Sequence, residues 1–234
     1  IGPPLGWLDA LFTATSAVCV TGLIVVDTAT RFTVAGQAFL LLLIQLGGLG
    51  MIAFTTLIIL ALGRRLSLRH ESLAGVDYDV APQVSHDRLA RDIVLFTLAF
   101  EAVGALLLYA LWVPRFGWLD AAWPAVFHAV SAFCNAGFST FSDSVIGFQG
   151  EAATLLVVSA LVVAGGLGFL TIEELALRHR AVRSGRRFRL SLHSRIVLAT
   201  TAVLILAGWL LFGLLEWEGT LRHLAFRDCI ADAL

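Results

Sequence analysis

The sequence predicts an all-α, multi-spanning membrane protein built from repeated units, each a span, a re-entrant helix, a glycine-bearing loop and a second span. Composition, four long apolar stretches and an internal repeat carry that prediction. Of 234 residues, 59% are hydrophobic and only 14% are charged, and the mean hydropathy is +0.88. The chain is long enough for a soluble core, but an ordinary water-soluble domain does not have this balance.

Crossing a bilayer takes about 20 helical residues. Gly36 to Leu62, Ile93 to Trp112, Ala152 to Thr171 and Ile196 to Leu215 each supply that length. Within lipid the backbone groups must pair inside each segment, so these stretches are expected as helices. The N-terminal Ile1-Gly-Pro-Pro has neither a basic region nor a Met, so it does not read as a signal peptide, and the chain is expected to begin mid-protein.

All 16 Lys and Arg positions are Arg; five lie between Gly63 and Asp92 and seven between Ile172 and Arg195. The positive-inside rule puts both segments in the cytoplasm. Arg31, Arg115, Arg222 and Arg227 then fall outside, and the four spans alternate correctly. Short Arg clusters beside spans, in a chain of net charge -1, suit topology, anionic lipid or a cytoplasmic partner rather than nucleic acid. Cys19, Cys134 and Cys229 show no pairing or metal-ligand spacing.

The repeat is the most informative pattern. Phe12, Ser16, Ala17, Cys19 and Gly22 recur as Phe127, Ser131, Ala132, Cys134 and Gly137, at a constant offset of 115. The preceding Trp7-Leu-Asp9 and Trp118-Leu-Asp120 are slightly out of phase, which calls for a small insertion in the second copy. Gly47-Gly-Leu-Gly50 returns as Gly165-Gly-Leu-Gly168 at an offset of 118.

Each copy opens with a short apolar segment, roughly Leu8 to Val18 and Ala122 to Phe133. At about 11 or 12 residues these are too short to span, and they read as re-entrant helices. Asp9 and Asp120 stand where they could cap them, or they are merely polar loop residues. Each helix runs into a Gly through a stretch with no amphipathic pattern. Non-helical backbone at membrane depth is tolerated only where protein buries it or where it lines a wet path.

If both loops line one path, their carbonyls supply a hard oxygen cage for an alkali cation without any carboxylate. The glycines give the backbone its freedom there, and the C-terminal ends of the short helices favour a cation. The units are expected at 1–92, which lacks its leading span, at 93–192, and at 193–234, the start of a third unit. Asp228 to Leu234 resembles the Asp9 region, and this stretch of sequence is not expected to enclose a pore by itself.

Phe12-Thr-Ala-Thr-Ser-Ala-Val-Cys-Val-Thr-Gly-Leu23 resembles the first pore loop of the bacterial Ktr-type members of the Trk/Ktr/HKT potassium transporter superfamily. Ser131-Ala-Phe-Cys-Asn-Ala-Gly-Phe138 resembles the second, and Ile44-Gln-Leu-Gly-Gly-Leu-Gly50 is similar to the first inner helix. The resemblance covers essentially the whole chain. It implies a four-unit pore, resembling that of a potassium channel, that takes up potassium across the bacterial plasma membrane. Carried over, Val20, Thr21 and Gly22 would line the first quarter of the filter, and Asn135, Ala136 and Gly137 the second. It further implies a homodimer of the full-length subunit, a cytoplasmic nucleotide-binding regulatory ring, and sodium as a stimulating ion.

Other residues invite other readings. Gly47 to Gly50 is no phosphate loop, because no Gly-Lys-Ser/Thr follows and it lies in an apolar span; close helix contact suits it better, and Gly165 to Gly168 is expected to do the same. Glu101, mid-span, is expected either to bond between helices or to stand by the ion path. His128 reads as a packed or hydrogen-bonded imidazole. No acid/base or nucleophile constellation is evident, so an enzyme is not expected. A sodium-coupled organic-solute symporter is the main alternative, followed by a noncatalytic scaffold; a symporter would more often show broken mid-membrane helices and polar groups for its solute.

The Arg distribution sets a topological prediction. In the full-length protein, with Cys19, Cys134 and Cys229 replaced, a single cysteine at Ser67 or Ser184 should resist an impermeant thiol reagent added to intact cells. Both should react once the cells are permeabilised, whereas ready labelling of both from outside would invert the assignment.

Overall fold

The computed structural model describes residues 5–74, 86–185 and 188–215. Its helices are α1 (Trp7–Val18), α2 (Thr28–Arg31), α3 (Val34–Ala74), α4 (His86–Phe116), α5 (Trp118–Phe133), α6 (Ala152–Leu167), α7 (Phe169–Arg183) and α8 (Leu192–Leu215), with one 3-10 turn at Ile146–Phe148. No strand occurs among the described residues. The expected continuation at Asp228 to Leu234, together with Arg222, Arg227 and Cys229, lies outside them.

Three helical segments, Val34–Thr56, Ala90–Phe116 and Leu192–Leu215, are long and apolar enough to cross a bilayer. Exposed Leu106, Val203, Leu204 and Leu214 on α4 and α8 fit a surface whose solvent is lipid rather than water. The fourth expected span, Ala152 to Thr171, is not one helix. It breaks at Gly168 into α6 and α7, which are bent by 100°. Gly168 takes φ 77 and ψ 158, a region essentially restricted to glycine. Hydropathy is blind to that turn, because the residues flanking it, Gly165 to Leu167 and Phe169 to Ile172, carry no charge, and the charges of α7 begin only at Glu173.

The short helices are present, and both start at their tryptophans. α1 has 12 residues and α5 has 16, so the phase slip between the copies is close to one helical turn, which leaves their buried faces in register. Asp9 and Asp120 do not cap them. The N-cap residues are Gly6 and Gly117, and neither helix has a side-chain cap. The aspartates stand in the first turn instead, where the helix dipole favours an anion.

Packing centres on α5, which lies against α4 and α6. Ala121, Ala125 and Ala129 form a buried stripe at four-residue spacing, letting backbones come close where lipid offers no hydrophobic drive. They share a cluster with Leu108, Trp112, Phe133, Phe148 and Leu161, and Trp112 Nε1 donates to Thr154 Oγ1 at 3.3 Å. A second cluster crosses between the units: Ala17, Leu40 and Ile44 of the first meet Phe127, Val130, Cys134, Ala136 and Phe138 of the second.

The repeated glycine motif does two different jobs. A Cβ on Gly47 would lie 2.0 Å from the Val18 carbonyl oxygen, and one on Gly165 would lie 1.8 Å from that of Phe133. Gly50 and Gly166 have nothing within 4 Å, so the close contact expected of the whole motif belongs to part of it. Gly165→Ala should therefore cost about 1–3 kcal/mol by overpacking, read as a lower thermal midpoint of the detergent-solubilised protein. Gly166→Ala should be neutral or stabilising; equal losses in both variants would refute the contact.

Candidate functional site

The two short helices end in the same way, the second at buried Phe133 and Cys134 and the first at Val18 and Cys19, which are exposed among the described residues. In the first, Cys19 N–H donates to Thr15 O, Val20 N–H to Ala17 O and Thr21 N–H to Ser16 O. In the second, Cys134 N–H donates to Val130 O, Asn135 N–H to Ala132 O and Ala136 N–H to Ser131 O. This is the Schellman pattern of 5→2 and 6→1 bonds around one left-handed residue. That residue is Val20 at φ 53 and Asn135 at φ 58. Two positions later the backbone is left-handed again, at Gly22 (φ 77) and Gly137 (φ 72).

The same turn does not suit both sequences equally. Asn tolerates the left-handed region, whereas a β-branched Val there is an outlier. Asn135 also sends Nδ2 back to Phe133 O at 3.4 Å. Val20 has no such compensation from its side chain.

The helix tips reach deep. Gly47 and Gly165, which receive the Val18 and Phe133 carbonyls, each stand thirteen positions beyond the first residue of α3 and α6. At 1.5 Å per residue that is about 20 Å along the helix, past the middle of the Val34–Thr56 span. There the two loops touch. A Cβ on Gly22 would lie 2.7 Å from Ala136 O and 3.4 Å from the Gly137 Cα. Of the expected residues, Gly22 meets Ala136 and Gly137 through backbone, and Val20 and Asn135 line one cavity.

The second loop is fastened at several points. Ser131 Oγ donates to Phe138 O at 2.7 Å. His128 Nδ1 faces Pro124 O at 2.8 Å, an acceptor only, so this nitrogen carries the proton. Nε2 of the neutral ring then accepts from Ser139 Oγ at 2.8 Å, and Ser139 Oγ accepts from Phe141 N–H at 2.9 Å. His128 is thus the hydrogen-bonded imidazole that the sequence suggests. In the first copy Ser16, the counterpart of Ser131, is buried and its hydroxyl finds no partner among the described residues.

Two polar ties join the units. Ser142 Oγ donates to Asp27 Oδ2 at 2.6 Å, and Asp27 also caps α2 through Ala29 N–H and receives Thr30 Oγ1. Trp123 Nε1 of α5 donates to Gln37 Oε1 of α3 at 2.7 Å, and Gln37 Nε2 donates to Thr28 O. Partial burial works to raise the Asp27 pKa, but the bonds from Ser142, Thr30 and Ala29 outweigh it and hold the pKa below the usual carboxylate value. This stabilisation is present above the unfolded pKa and is lost as pH falls through the folded one. The sequence gives little sign of these ties, since Asp27 and Ser142 are ordinary loop residues until the fold juxtaposes them.

Next to the loops lies a cavity of about 370 Å³ lined by Val20, Cys134 and Asn135, by Met51 and Thr56 of α3, and by Gly168 to Thr171 at the α6–α7 bend. Among the described residues no three His, Cys, Asp or Glu side chains gather to hold a metal. Whatever the loops coordinate, they would do so with backbone oxygens and small polar groups.

The cation transport protein family TrkH matches residues 2–218. The Ktr system potassium uptake protein B of Vibrio alginolyticus is 44% identical over 208 residues, which is 89% of this chain and 45% of that protein. Its Bacillus subtilis namesake is 39% identical over 96% of this chain and 50% of its own length. The potassium/sodium uptake protein NtpJ of Enterococcus hirae is 36% identical over 99% of this chain and 50% of its own length. The chain spans about half the length of the curated relatives it matches.

Unequal caps on equal turns give a stability prediction. Replacing Val20 by Asn should stabilise the protein, and replacing Asn135 by Val should destabilise it, each by about 1–2 kcal/mol, the cost of a left-handed β-branched residue. Thermal midpoints in detergent should move in opposite directions, and a loss of stability in Val20→Asn would contradict the turn assigned there.

Proposed function

The chain belongs to the TrkH family of cation transport proteins, and from that premise we propose that it supplies two consecutive units of a potassium uptake pore in the plasma membrane. In this reading four units surround one path. Val20 to Gly22 and Asn135 to Gly137 provide two quarters of a filter made of backbone carbonyls. The units run 1–92 and 93–192, and 193–234 opens the third.

One observation carries the reading: both short helices end in loops whose left-handed residues alternate with residues that are not, at 20 and 22 and again at 135 and 137, and the two loops meet at Gly22 and Gly137. In this reading the alternation of backbone hand turns successive carbonyls toward one path, where they replace the hydration shell of a cation. The helix C-termini add partial negative charge beside them. A carbonyl cage needs no carboxylate, in keeping with loops poor in charge.

The same premise extends to sodium and to partners. A relative named for potassium and sodium uptake supports sodium as a second ion, to which this reading gives a stimulating role. Relatives named as parts of a Ktr system support a partner subunit; in this reading the partner is a cytoplasmic nucleotide-binding ring that gates a dimer of the full-length subunit, with the Arg-rich segments as its docking side.

Selectivity tests the assignment. Gly22→Ser or Gly137→Ser adds atoms where the backbones meet and where φ is positive. Each should lower the preference for potassium over sodium by about tenfold, equivalent to 1.4 kcal/mol. Potassium and sodium uptake by the full-length transporter, compared at matched membrane abundance, gives the answer, and unchanged selectivity in both variants would remove these glycines from the filter.

A further inference from the structure

Resting on the uptake reading above, we propose that Glu101 is a positioning residue for the second loop, holding Cys134 in place so that Asn135 keeps its left-handed turn. Glu101 is the one acid between Ile93 and Trp112, and it is only 5% exposed. A carboxyl group mid-span is costly unless it has partners. Its partner is the Cys134 thiol, whose Sγ donates to Oε1 at 3.8 Å, a reach open to sulfur. Gln45 of α3 faces the same carboxyl group, with its buried Nε2 lacking a completed hydrogen bond.

On its other side Cys134 meets α3. A Cβ on Gly48 would lie 2.4 Å from Sγ and 3.0 Å from the Cys134 Cβ. The thiol is therefore wedged between an inner helix of the first unit and an outer helix of the second. Cys134 closes α5 as its C-cap residue and is bonded directly to Asn135, so a shift of its side chain reaches the loop with no intervening joint. Cys134 and Asn135 line the cavity, and Glu101 does not. Glu101 thus acts through Cys134 rather than on the ion. Cys19, the first-copy counterpart, is exposed among the described residues, so this wedge is particular to the second loop.

The test measures potassium and sodium uptake separately in the full-length transporter at matched membrane abundance, for Glu101→Gln, Glu101→Leu, Cys134→Ser, Cys134→Ala and the double variant Glu101→Leu with Cys134→Ala. Gln keeps an acceptor, so Glu101→Gln should keep the parent's selectivity; Ser keeps a donor but falls short of the reach open to sulfur, so Cys134→Ser should lie between the parent and Cys134→Ala. Leu and Ala each remove one half of the bond and should lower potassium preference by about three- to tenfold. The double variant should lose no more than the worse single one, because the two act as a unit. If Glu101→Leu fails to reach the membrane, Cys134→Ala, which deletes one sulfur, carries the test. Unchanged selectivity in Cys134→Ala would overturn the proposal. So would abolished uptake in normally abundant Glu101→Gln, which would put the carboxyl group on the ion path. A parent that does not discriminate between the ions would instead overturn the uptake reading itself.

Discussion

Two helices that stop inside a membrane protein, away from both water surfaces, set the terms for everything around them. Their last carbonyls have no helical partner. The chain answers with a left-handed residue at Val20 and at Asn135, which folds the next N–H groups back onto Ser16, Ala17, Ser131 and Ala132. The carbonyls of Val18 and Phe133 are directed instead at glycines of the neighbouring spans, where a side chain would collide. Cap and glycine are two parts of one solution, and both loops hang from it.

The solution is applied twice but not identically. Asn135 suits its turn and Val20 does not, and the second loop has hydrogen bonds to Ser131, His128 and Ser139 that reach along its length. The following spans diverge as well. α3 runs without interruption past Gly50, whereas its counterpart breaks at Gly168, and residues at that break line the cavity beside Val20 and Asn135. A family motif shared by sequence thus shapes a straight wall in one unit and a turned floor in the next.

Registration between the units comes from contacts of different kinds at different depths. Toward the Arg-poor ends, hydrogen bonds from Ser142 to Asp27 and from Trp123 to Gln37 tie the copies together, each worth on the order of 1 kcal/mol net. Deeper in, the cluster of Ala17, Leu40 and Ile44 against Phe127, Val130 and Phe138 takes over, and there close packing is the main cohesive force. Gly22 meets Gly137 beside Ala136 and Phe138 of that cluster, so polar ties and packing together set the spacing of the two loops.

By itself the sequence determined the membrane as solvent, three of the four expected spans as continuous helices, the two short helices and the matched positions of Gly22 and Gly137. These follow from segment length, hydropathy and repetition, which are local or periodic quantities. It also marked Glu101 and His128 as residues needing partners, since a polar group in an apolar segment declares its cost. Tertiary structure decided who those partners are, that Gly6 and Gly117 rather than Asp9 and Asp120 begin the short helices, and that Gly47 and Gly165 are pressed by carbonyls while Gly50 and Gly166 are not. It also decided that Gly168 turns the chain through 100°. The physical reason is common to all of these: a contact between distant segments and a choice of backbone hand leave hydropathy and spacing unchanged, so only the packed chain reveals them.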